Sequence, residues 1–221
     1  MTTLSDSCPT SVTARNGSPS NELQSPIASS RAKNSISEVF AAHNGRLIDK
    51  WTHYFPIYQR HFERFQDKPV RILEIGVSHG GSLQFWKEYF GPQAHILGLD
   101  INIDCIGLAE PQIHVISGDQ ANPDHLAKIA ALGPFDIVID DGSHYTADQE
   151  ASFKALWGVT SGVYLIEDCH SGYPAIQASD ALRYKYPWVL VFERPKRVIR
   201  GKPSFELRPD EIDAINLYSD V

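Results

Sequence analysis

The strongest constraint on the fold is the alternation, from Val70 onward, of short apolar runs with helix-length segments. The strand-like runs are residues 70–75, 96–101, 113–117, 135–140, 162–166 and 188–192, with a return strand around 197–200. Helices are predicted between them over residues 82–90, 123–132, 146–157 and 174–186. Continuous apolar strands alternating with helices are typical of a parallel sheet covered on both faces. The sequence therefore predicts an α/β protein with a doubly wound, Rossmann-like sheet, mostly parallel with an antiparallel last strand and helices on both faces.

Composition divides the chain into a tail and one domain. Residues 1–35 are dominated by Ser, Thr, Asn and Pro, a composition that buries too little apolar surface to offset the cost of ordering, so a disordered tail is predicted. Residues 36–221 are predicted to form one domain, since a chain of 221 residues suits a single sizeable core. Within it, apolar residues at helical spacing predict a helical lead-in over residues 36–68.

Charge and cysteine content narrow the class of protein. Twenty basic and 27 acidic residues give a net charge of −7, and no face gathers Lys and Arg, so nucleic acid is not expected as a partner. Cys8, Cys105 and Cys169 are an odd set without metal-type spacing, which favours a reducing, cytoplasmic environment. The sequence contains no apolar run long enough to span a membrane. It leaves formation of a homo-oligomer open.

Acidic residues close each of the first five predicted strands. They are Glu74, Asp100, Asp119, Asp140 with Asp141, and Glu167 with Asp168. A single acid at a strand end is commonly a helix cap or a solvated terminus. Five in succession lie on one rim, where open parallel sheets bind their ligands. Carboxylates there suit S-adenosylmethionine, which presents ribose hydroxyls, an amino group and a cationic sulfonium.

The first turn of the sheet follows Glu74 and contains several small residues. Its glycines let the backbone pass close to a ligand, and Gly76, Ser78, Gly80 and Ser82 are predicted to line the donor site. Ser78 stands where a dinucleotide motif has its second glycine, and Glu74 would repel a pyrophosphate. The turn therefore favours S-adenosylmethionine over NAD, although a glycine turn alone leaves an NAD-dependent oxidoreductase open.

The next strand ends supply further donor ligands. Asp100 stands where a ribose-binding acid is expected, and Asp119 and Gln120 are predicted beside the adenine. Asp140, at the end of the fourth strand, is also predicted to bind the donor. Capping of the following helices is the alternative for Asp100 and Asp119.

A candidate reaction centre lies at the ends of the fourth and fifth strands. Asp141 and Asp168 are predicted to share a divalent cation such as Mg²⁺, with Glu167 replacing or joining Asp168. His144 is predicted to be the general base, taking the proton of an acceptor hydroxyl. The alternative makes Asp141 a turn residue and His144 part of a helix start.

These segments resemble a known family. Ile72-Leu-Glu-Ile-Gly-Val, Gly118-Asp-Gln, Phe135-Asp-Ile-Val-Ile-Asp-Asp-Gly-Ser-His and Ile166-Glu-Asp look like class I S-adenosylmethionine-dependent methyltransferases of the macrolide and rhamnosyl sugar O-methyltransferase type, a group that includes cephalosporin-hydroxylase-like proteins. The resemblance covers about residues 47–170. It implies that Asp141 and Asp168 bind magnesium and that His144 is the base. It also implies that residues 49–58 form a helix that closes over the donor.

The expected function is transfer of a methyl group to a hydroxyl of a small molecule, a sugar or a polyketide-like metabolite of secondary metabolism. Two alternatives remain from the sequence: a non-catalytic partner protein that binds S-adenosylmethionine, and the NAD-dependent oxidoreductase. Residues 169–174 lack the aromatic-rich stretch that often follows the last acid in the family, which predicts a different acceptor pocket.

Overall fold

The computed structural model describes residues 34–195, which form a seven-stranded sheet with helices on both faces. The strands are β1 Val70–Ile75, β2 Ala94–Asp100, β3 Ile113–Ser117, β4 Phe135–Asp140, β5 Thr160–Ile166, β6 Leu182–Tyr186 and β7 Val189–Glu193. Their order in the sheet is β3-β2-β1-β4-β5-β7-β6. The first five strands are parallel, and β7 runs antiparallel to both β5 and β6. The predicted doubly wound, mostly parallel sheet is confirmed.

Five α-helices accompany the strands. They are α1 Ile36–Ala42, α2 Phe55–Phe62, α3 Gly81–Phe90, α4 Pro123–Ala130 and α5 Thr146–Leu156. Two of them begin at side-chain caps: Ser35 forms a capping box with Glu38 at α1, and Asn122 accepts backbone N–H bonds at α4. Helices α1 to α3 bury their apolar residues on one face of the sheet, and α4 and α5 bury theirs on the other.

The strand pattern follows from this two-sided burial. On β1, Ile72 packs into the core under α1 to α3, while its neighbour Leu73 packs into the core under α4 and α5. Because successive side chains point to opposite faces, a strand covered on both sides must be apolar at every position. This requirement produces the continuous apolar runs that the sequence displays.

The topology places a crevice beside β1. The chain passes from β1 outward to β2 and β3, then returns to β4 on the other side of β1, so the connections diverge between β1 and β4. Ligands bind at such a switch point, outside the carboxyl ends of the strands. The strand ends are level: Ile75 pairs with both Leu99 and Asp140, and Asp140 pairs with Ile166. The acidic residues predicted at these ends therefore share one rim.

One predicted helix is wrong. Residues 174–186, predicted as a helix, lead into strand β6, which pairs with β7 in a hairpin. Tyr184 and Tyr186 alternate with the exposed Arg183 and Lys185 and pack against His61 of α2. This period of two belongs to a half-exposed strand rather than to a helix.

The hairpin also changes the sixth predicted strand, at residues 188–192. It is Val189–Glu193, it is itself the antiparallel strand next to β5, and Trp188 lies in the turn before it. The return strand predicted around residues 197–200, and the predicted disordered tail up to residue 33, lie outside the described residues. No helix within residues 34–195 is long and apolar enough to cross a membrane.

Candidate functional site

Two cavities adjoin at the carboxyl ends of the strands and share Gly76, Asp100 and Gly142 in their walls. The larger cavity, the main cleft, has a volume of about 370 Å³ and is lined by Leu47, Ile48, Asp49, Lys50, Trp51, Tyr54, Gly76, Val77, Ser78, His79, Ser82, Asp100, Asp141, Gly142, His144, Glu167 and Asp168. The smaller cavity has about 140 Å³ and is lined by Ile75, Gly76, Leu99, Asp100, Ile101, Gly118, Asp119, Gln120, Gly142 and Ser143. Most of the predicted site residues therefore line one continuous depression.

Gly76 is the point of closest approach between the turns after β1 and β4. Its φ is +89°, and a Cβ atom added there would lie 2.0 Å from the backbone oxygen of Asp141. The Gly76 N–H donates to the Leu99 carbonyl at 2.8 Å, which fixes the turn against β2. A side chain at this position would both strain the backbone and push the two turns apart. Glycine is therefore required for the geometry of the depression.

Asp100 holds the turn that follows Gly76. Its Oδ2 accepts the backbone N–H groups of Val77 and Ser78 at 2.7 and 2.9 Å, and its Oδ1 accepts that of Asn102 at 2.8 Å. Ser78 has a φ of +49°, and Gly80, with a φ of +78°, is the N-cap of α3. Asp100 thus caps the glycine turn rather than the next helix, while its side chain still lines both cavities.

Glu74 and Ser82 form a hydrogen bond through their side chains. The Ser82 hydroxyl donates to Glu74 Oε2 at 2.9 Å, and the Glu74 side chain is fully buried. Ser82 lines the main cleft, whereas Glu74 lies behind it. Glu74 therefore acts on the cleft through its neighbours.

Gln120 ties the ends of β3 and β4 together beneath the smaller cavity. Its amide Nε2 donates to Asp140 Oδ1 at 3.0 Å, and its Oε1 accepts the Ser143 N–H at 2.6 Å. The Asp140 carboxyl is fully buried and lines neither cavity. Asp119 lines the smaller cavity, and its Oδ1 accepts the Ala121 N–H at 2.8 Å in a local turn. Within the protein Gln120 and Asp140 support the rim, while Asp119 stands at its surface.

A single buried lysine lies at the centre of the acidic cluster. Lys50 Nζ is in direct contact with the Asp141 carboxylate, 2.9 Å from Glu167 Oε2 and 3.7 Å from Glu74 Oε1. The lysine side chain is only 3% exposed. Three acids from the ends of β1, β4 and β5 therefore share one cation. The alternative in which the Asp141 side chain bonds its own turn is not what the structure contains.

The electrostatics of this cluster depend on the lysine. Burial alone would lower the pKa of Lys50, but attraction to Asp141, Glu167 and Glu74 raises that pKa well above its ordinary value. Burial raises the pKa of Glu74 to about 7 against the lowering effect of Lys50. Burial likewise raises the pKa of Glu167, opposed by its contacts with Lys50 and Tyr58. The ammonium group thus favours the charged form of carboxyl groups whose burial favours the neutral form.

Two tyrosines extend this contact along the lead-in. The Tyr54 hydroxyl donates to Asp168 Oδ1 at 2.6 Å, and the Tyr58 hydroxyl donates to Glu167 Oε1 at 2.8 Å. Lys50, Tyr54 and Tyr58 recur every four residues, and the latter two lie in helical turns. We call these three residues the lead-in clamp, since together they contact every acid of the cluster.

Asp141, His144 and Asp168 form the one group of candidate metal ligands found among the described residues. One ligand atom from each lies within 4.8 Å of the others, and His144 Nε2 is 3.9 Å from Asp168 Oδ2. His144 and Asp168 have φ values of +60° and +52°. Positive φ is uncommon outside glycine, although Asp and His adopt it more often than most residues, and it clusters at functional sites. His144 Nδ1 is buried and has no hydrogen-bond partner within the described part of the chain.

The acids of the site were predicted from the sequence, whereas the residues that bind their carboxyl groups were not. The structure brings Asp141, His144 and Asp168 together and places the glycine turn beside them. The contacts of Lys50, Tyr54 and Tyr58 were not predicted. The spacing of four between Tyr54 and Tyr58 was the available signal for the tyrosines, because it marks one side of a helix. Lys50 lies outside the helical turns and carried no such signal.

Comparison with known proteins identifies homologues of this chain. Mycinamicin VI 2''-O-methyltransferase of Micromonospora griseorubida is 46% identical over 132 residues, which are 55% of this chain and 33% of that protein. The 8-demethyl-8-(2-methoxy-alpha-L-rhamnosyl)-tetracenomycin-C 3'-O-methyltransferase of Streptomyces olivaceus is 42% identical over 138 residues, 57% of this chain and 35% of that protein. The chain thus spans about a third of the length of these curated relatives. No protein-family model matches it.

Solved structures agree with this relationship. The MycE methyltransferase from the mycinamycin biosynthetic pathway, in complex with Mg, SAH and mycinamycin VI, superposes with a TM-score of 0.64 at 28% identity, covering 83% of this chain and 60% of that chain. A second complex of MycE, with Mg and SAH, gives a TM-score of 0.63 at 31% identity, covering 79% and 58%. The homologues of this chain are therefore macrolide and sugar O-methyltransferases, and the resemblance inferred from the sequence motifs is confirmed.

Proposed function

We propose that this chain is an S-adenosylmethionine-dependent O-methyltransferase that methylates a hydroxyl of a sugar carried by a small molecule. The observation that carries the proposal is the acidic cluster at the switch point of the sheet, where Asp141, His144 and Asp168 converge beside the glycine turn. Three carboxyl groups contact Lys50, and a fourth, that of Asp168, accepts the Tyr54 hydroxyl, so acids outnumber the one cation in a cluster that suits cationic ligands. The names of the homologues, which are sugar and macrolide O-methyltransferases, support the same activity.

The donor fits the depression on both sides of the turn. We infer that the backbone of Gly76 and Ser78 and the carboxylate of Asp100 face the ribose and the methionine part of the donor in the main cleft. Asp119 and Gln120 line the smaller cavity, which suits the adenine. Since carboxylates accept bonds from hydroxyl and ammonium groups, the rim matches a donor that has both and that lacks a pyrophosphate.

The acidic residues beside the donor site also fit a magnesium ion. Asp141 and Asp168 would hold it through carboxylate oxygens, the ligands that Mg²⁺ prefers, with Glu167 beside them. The solved MycE complexes contain Mg and SAH. When bound, such an ion orients the acceptor hydroxyl and favours its deprotonation.

The residues of this chain then divide the work of transfer. His144 accepts the proton of the acceptor hydroxyl as the oxygen bonds to the methyl carbon and the bond from that carbon to sulfur breaks. The sulfonium charge is lost in this step, and S-adenosylhomocysteine leaves. The position of His144 within ligand distance of Asp141 and Asp168, and its positive φ, support a role for this imidazole in the reaction. The lead-in clamp keeps the neighbouring acids fixed while the proton moves.

Calorimetric titration of the full chain with S-adenosylhomocysteine and, separately, with NAD tests this function. We expect saturable binding of S-adenosylhomocysteine and none of NAD. Binding of NAD alone would favour the oxidoreductase. Binding of S-adenosylhomocysteine without methylation of any glycoside offered would favour a partner protein that binds the donor without turnover.

Replacing Gly76 with alanine tests the donor site. The new Cβ would meet the Asp141 carbonyl at a φ of +89°, so the turns must separate. We expect the affinity for S-adenosylhomocysteine to fall by at least about tenfold, which corresponds to ~1.4 kcal/mol. Gly107→Ala is the matched control, because a Cβ there meets nothing within 4 Å. Equal affinity in both variants, measured by calorimetry, would contradict the placement of the donor at this turn.

A further inference from the structure

Four rings from three segments of the chain meet beside the main cleft. They are Trp51 and His53 of the lead-in, His170 after β5, and Trp188 between β6 and β7. Trp188 is at the centre, with ring centroids 4.5 Å from His170, 5.3 Å from Trp51 and 5.4 Å from His53. Trp51 also lines the cleft, so this group, the aromatic rim, is continuous with the reaction centre.

The two tryptophans of the aromatic rim differ from the other two in the chain. Trp51 and Trp188 are 49% and 38% exposed, whereas Trp86 and Trp157 are 0% and 8% exposed. A tryptophan that serves only folding is expected to bury most of its surface, as the latter two do. An exposed pair of large rings at the mouth of a cleft is instead typical of a binding surface.

Trp188 also occupies a position that its backbone disfavours. Tyr186 pairs with Val189, so Pro187 and Trp188 form a two-residue connection, and Trp188 has a φ of +59°. Glycine or asparagine is the usual residue at positive φ after a turn proline. Two bonds hold the strained residue: its carbonyl accepts the Cys169 N–H at 2.9 Å, and its N–H donates to the Tyr173 hydroxyl at 3.0 Å. A strained residue that the surroundings fix in this way points to a role for its ring.

His170 connects the aromatic rim to the reaction centre. His170 Nε2 is 3.1 Å from Asp168 Oδ1, the oxygen that also accepts the Tyr54 hydroxyl. Trp51 follows Lys50, whose ammonium is fixed among three acids. The aromatic rim thus adjoins the acids that would lie next to the reacting hydroxyl.

We propose that the aromatic rim is the acceptor subsite and that it binds the saccharide ring of the acceptor by a C–H face. A saccharide ring has apolar C–H faces and hydroxyl groups along its edge. The indole rings of Trp51 and Trp188 complement the face through dispersion, and the imidazoles of His53 and His170 offer partners to the edge. The choice of a saccharide as the ligand of this subsite rests on the proposed function, since the saccharide is the group that would be methylated.

Trp188→Gly tests the subsite, with methyl α-L-rhamnopyranoside at millimolar concentrations as the probe. We expect this glycoside to change the intrinsic tryptophan fluorescence of the full chain saturably, and glycerol, which has hydroxyls but no ring face, to leave it unchanged. In Trp188→Gly, the apparent affinity for the glycoside should fall about tenfold, the loss expected for one stacked ring. The midpoint of thermal unfolding should fall only modestly, because glycine suits the positive φ and this offsets part of the loss of the ring contacts.

The controls separate this proposal from the proposed function. Leu182→Ala removes an exposed apolar side chain from the same hairpin and should leave the glycoside response intact. The affinity for S-adenosylhomocysteine should be unchanged in both variants. If the unmodified chain does not bind S-adenosylhomocysteine, the proposed function itself is overturned. If S-adenosylhomocysteine binds but the unmodified chain shows no glycoside response, or if Trp188→Gly binds the glycoside as tightly as the unmodified chain, the subsite is overturned and the rings serve packing alone.

Discussion

Replacing Lys50 with methionine is expected to lower the free energy of unfolding by about 3–5 kcal/mol, the usual cost of removing one partner of a buried ion pair. The reason is that Glu74 and Glu167 are almost fully buried and would lose their cation. Domains of this kind unfold with only about 5–15 kcal/mol in total, so the loss is large. Urea denaturation at neutral pH measures it.

The matched control is Lys154→Met, since Lys154 is 75% exposed and pairs with Glu150 at 3.8 Å on the surface of α5. It should cost at most about 0.5 kcal/mol. Adding Glu167→Gln to Lys50→Met should restore part of the loss, because it removes one uncompensated charge. Equal stability of the two lysine variants would contradict the ion pairs described for Lys50.

The Lys50→Met deficit should also depend on pH. Burial raises the pKa of Glu74 to about 7, and without Lys50 that pKa rises further. An acid whose folded pKa lies above its unfolded value favours folding when protonated, so stability is lost as the pH rises through the folded pKa. The variant should therefore be closest to the unmodified chain near pH 5 and furthest from it above pH 8. Urea midpoints across this range provide the measurement.

His144→Gly is expected to lower kcat by about 10²- to 10⁴-fold, the contribution typical of a general base. Glycine suits the φ of +60° at this position, so the fold itself should be retained. Added imidazole should restore part of the activity by occupying the space of the missing ring. The rate of S-adenosylhomocysteine release, measured with a glycoside that the unmodified chain methylates, follows both effects.

Metal affinity decides between two roles of His144, which lies close enough to Asp141 and Asp168 to be a ligand itself. If it is the base, His144→Gly should bind Mn²⁺ as tightly as the unmodified chain in calorimetry, and Asp141→Asn should bind it more weakly. A weakened Mn²⁺ affinity with no rescue by imidazole would make His144 a ligand. An unchanged kcat would exclude both roles.

The central sheet was predictable because its physics is local. Most positions of β1 to β5 are buried by helices on the two faces of the sheet, so these strands are mostly apolar, and this signal does not depend on the partner strand. The hairpin of β6 and β7 was not predictable in the same way. Leu182–Tyr186 is half exposed and carries charged residues, and its strand character depends on pairing with β7 and on packing against His61.

The acids of the site were predictable for a topological reason, while their partners were not. Parallel strands bring Glu74, Asp141 and Asp168 to one rim whatever their distance in sequence. Lys50 lies in an irregular segment between α1 and α2, and no local pattern states which side chain it will meet. The sequence placed Asp141 at the reaction centre but also predicted that Asp140 would bind the donor, whereas the Asp140 carboxyl is buried and lines neither cavity. Neighbouring residues at a strand end take opposite faces, and the strand pattern alone does not state which face meets the cleft.

The lead-in clamp has a consequence for the order in which the site is assembled during synthesis. Its contacts span 91 residues from Lys50 to Asp141, 117 from Lys50 to Glu167 and 114 from Tyr54 to Asp168. Contacts of such high sequence separation require the closure of long loops and form slowly. A growing chain therefore exposes Lys50 and its tyrosines well before their acids have been translated. A folding intermediate made of the amino-terminal half alone therefore cannot contain the complete acidic cluster. The cluster is complete only when β5 has joined the sheet.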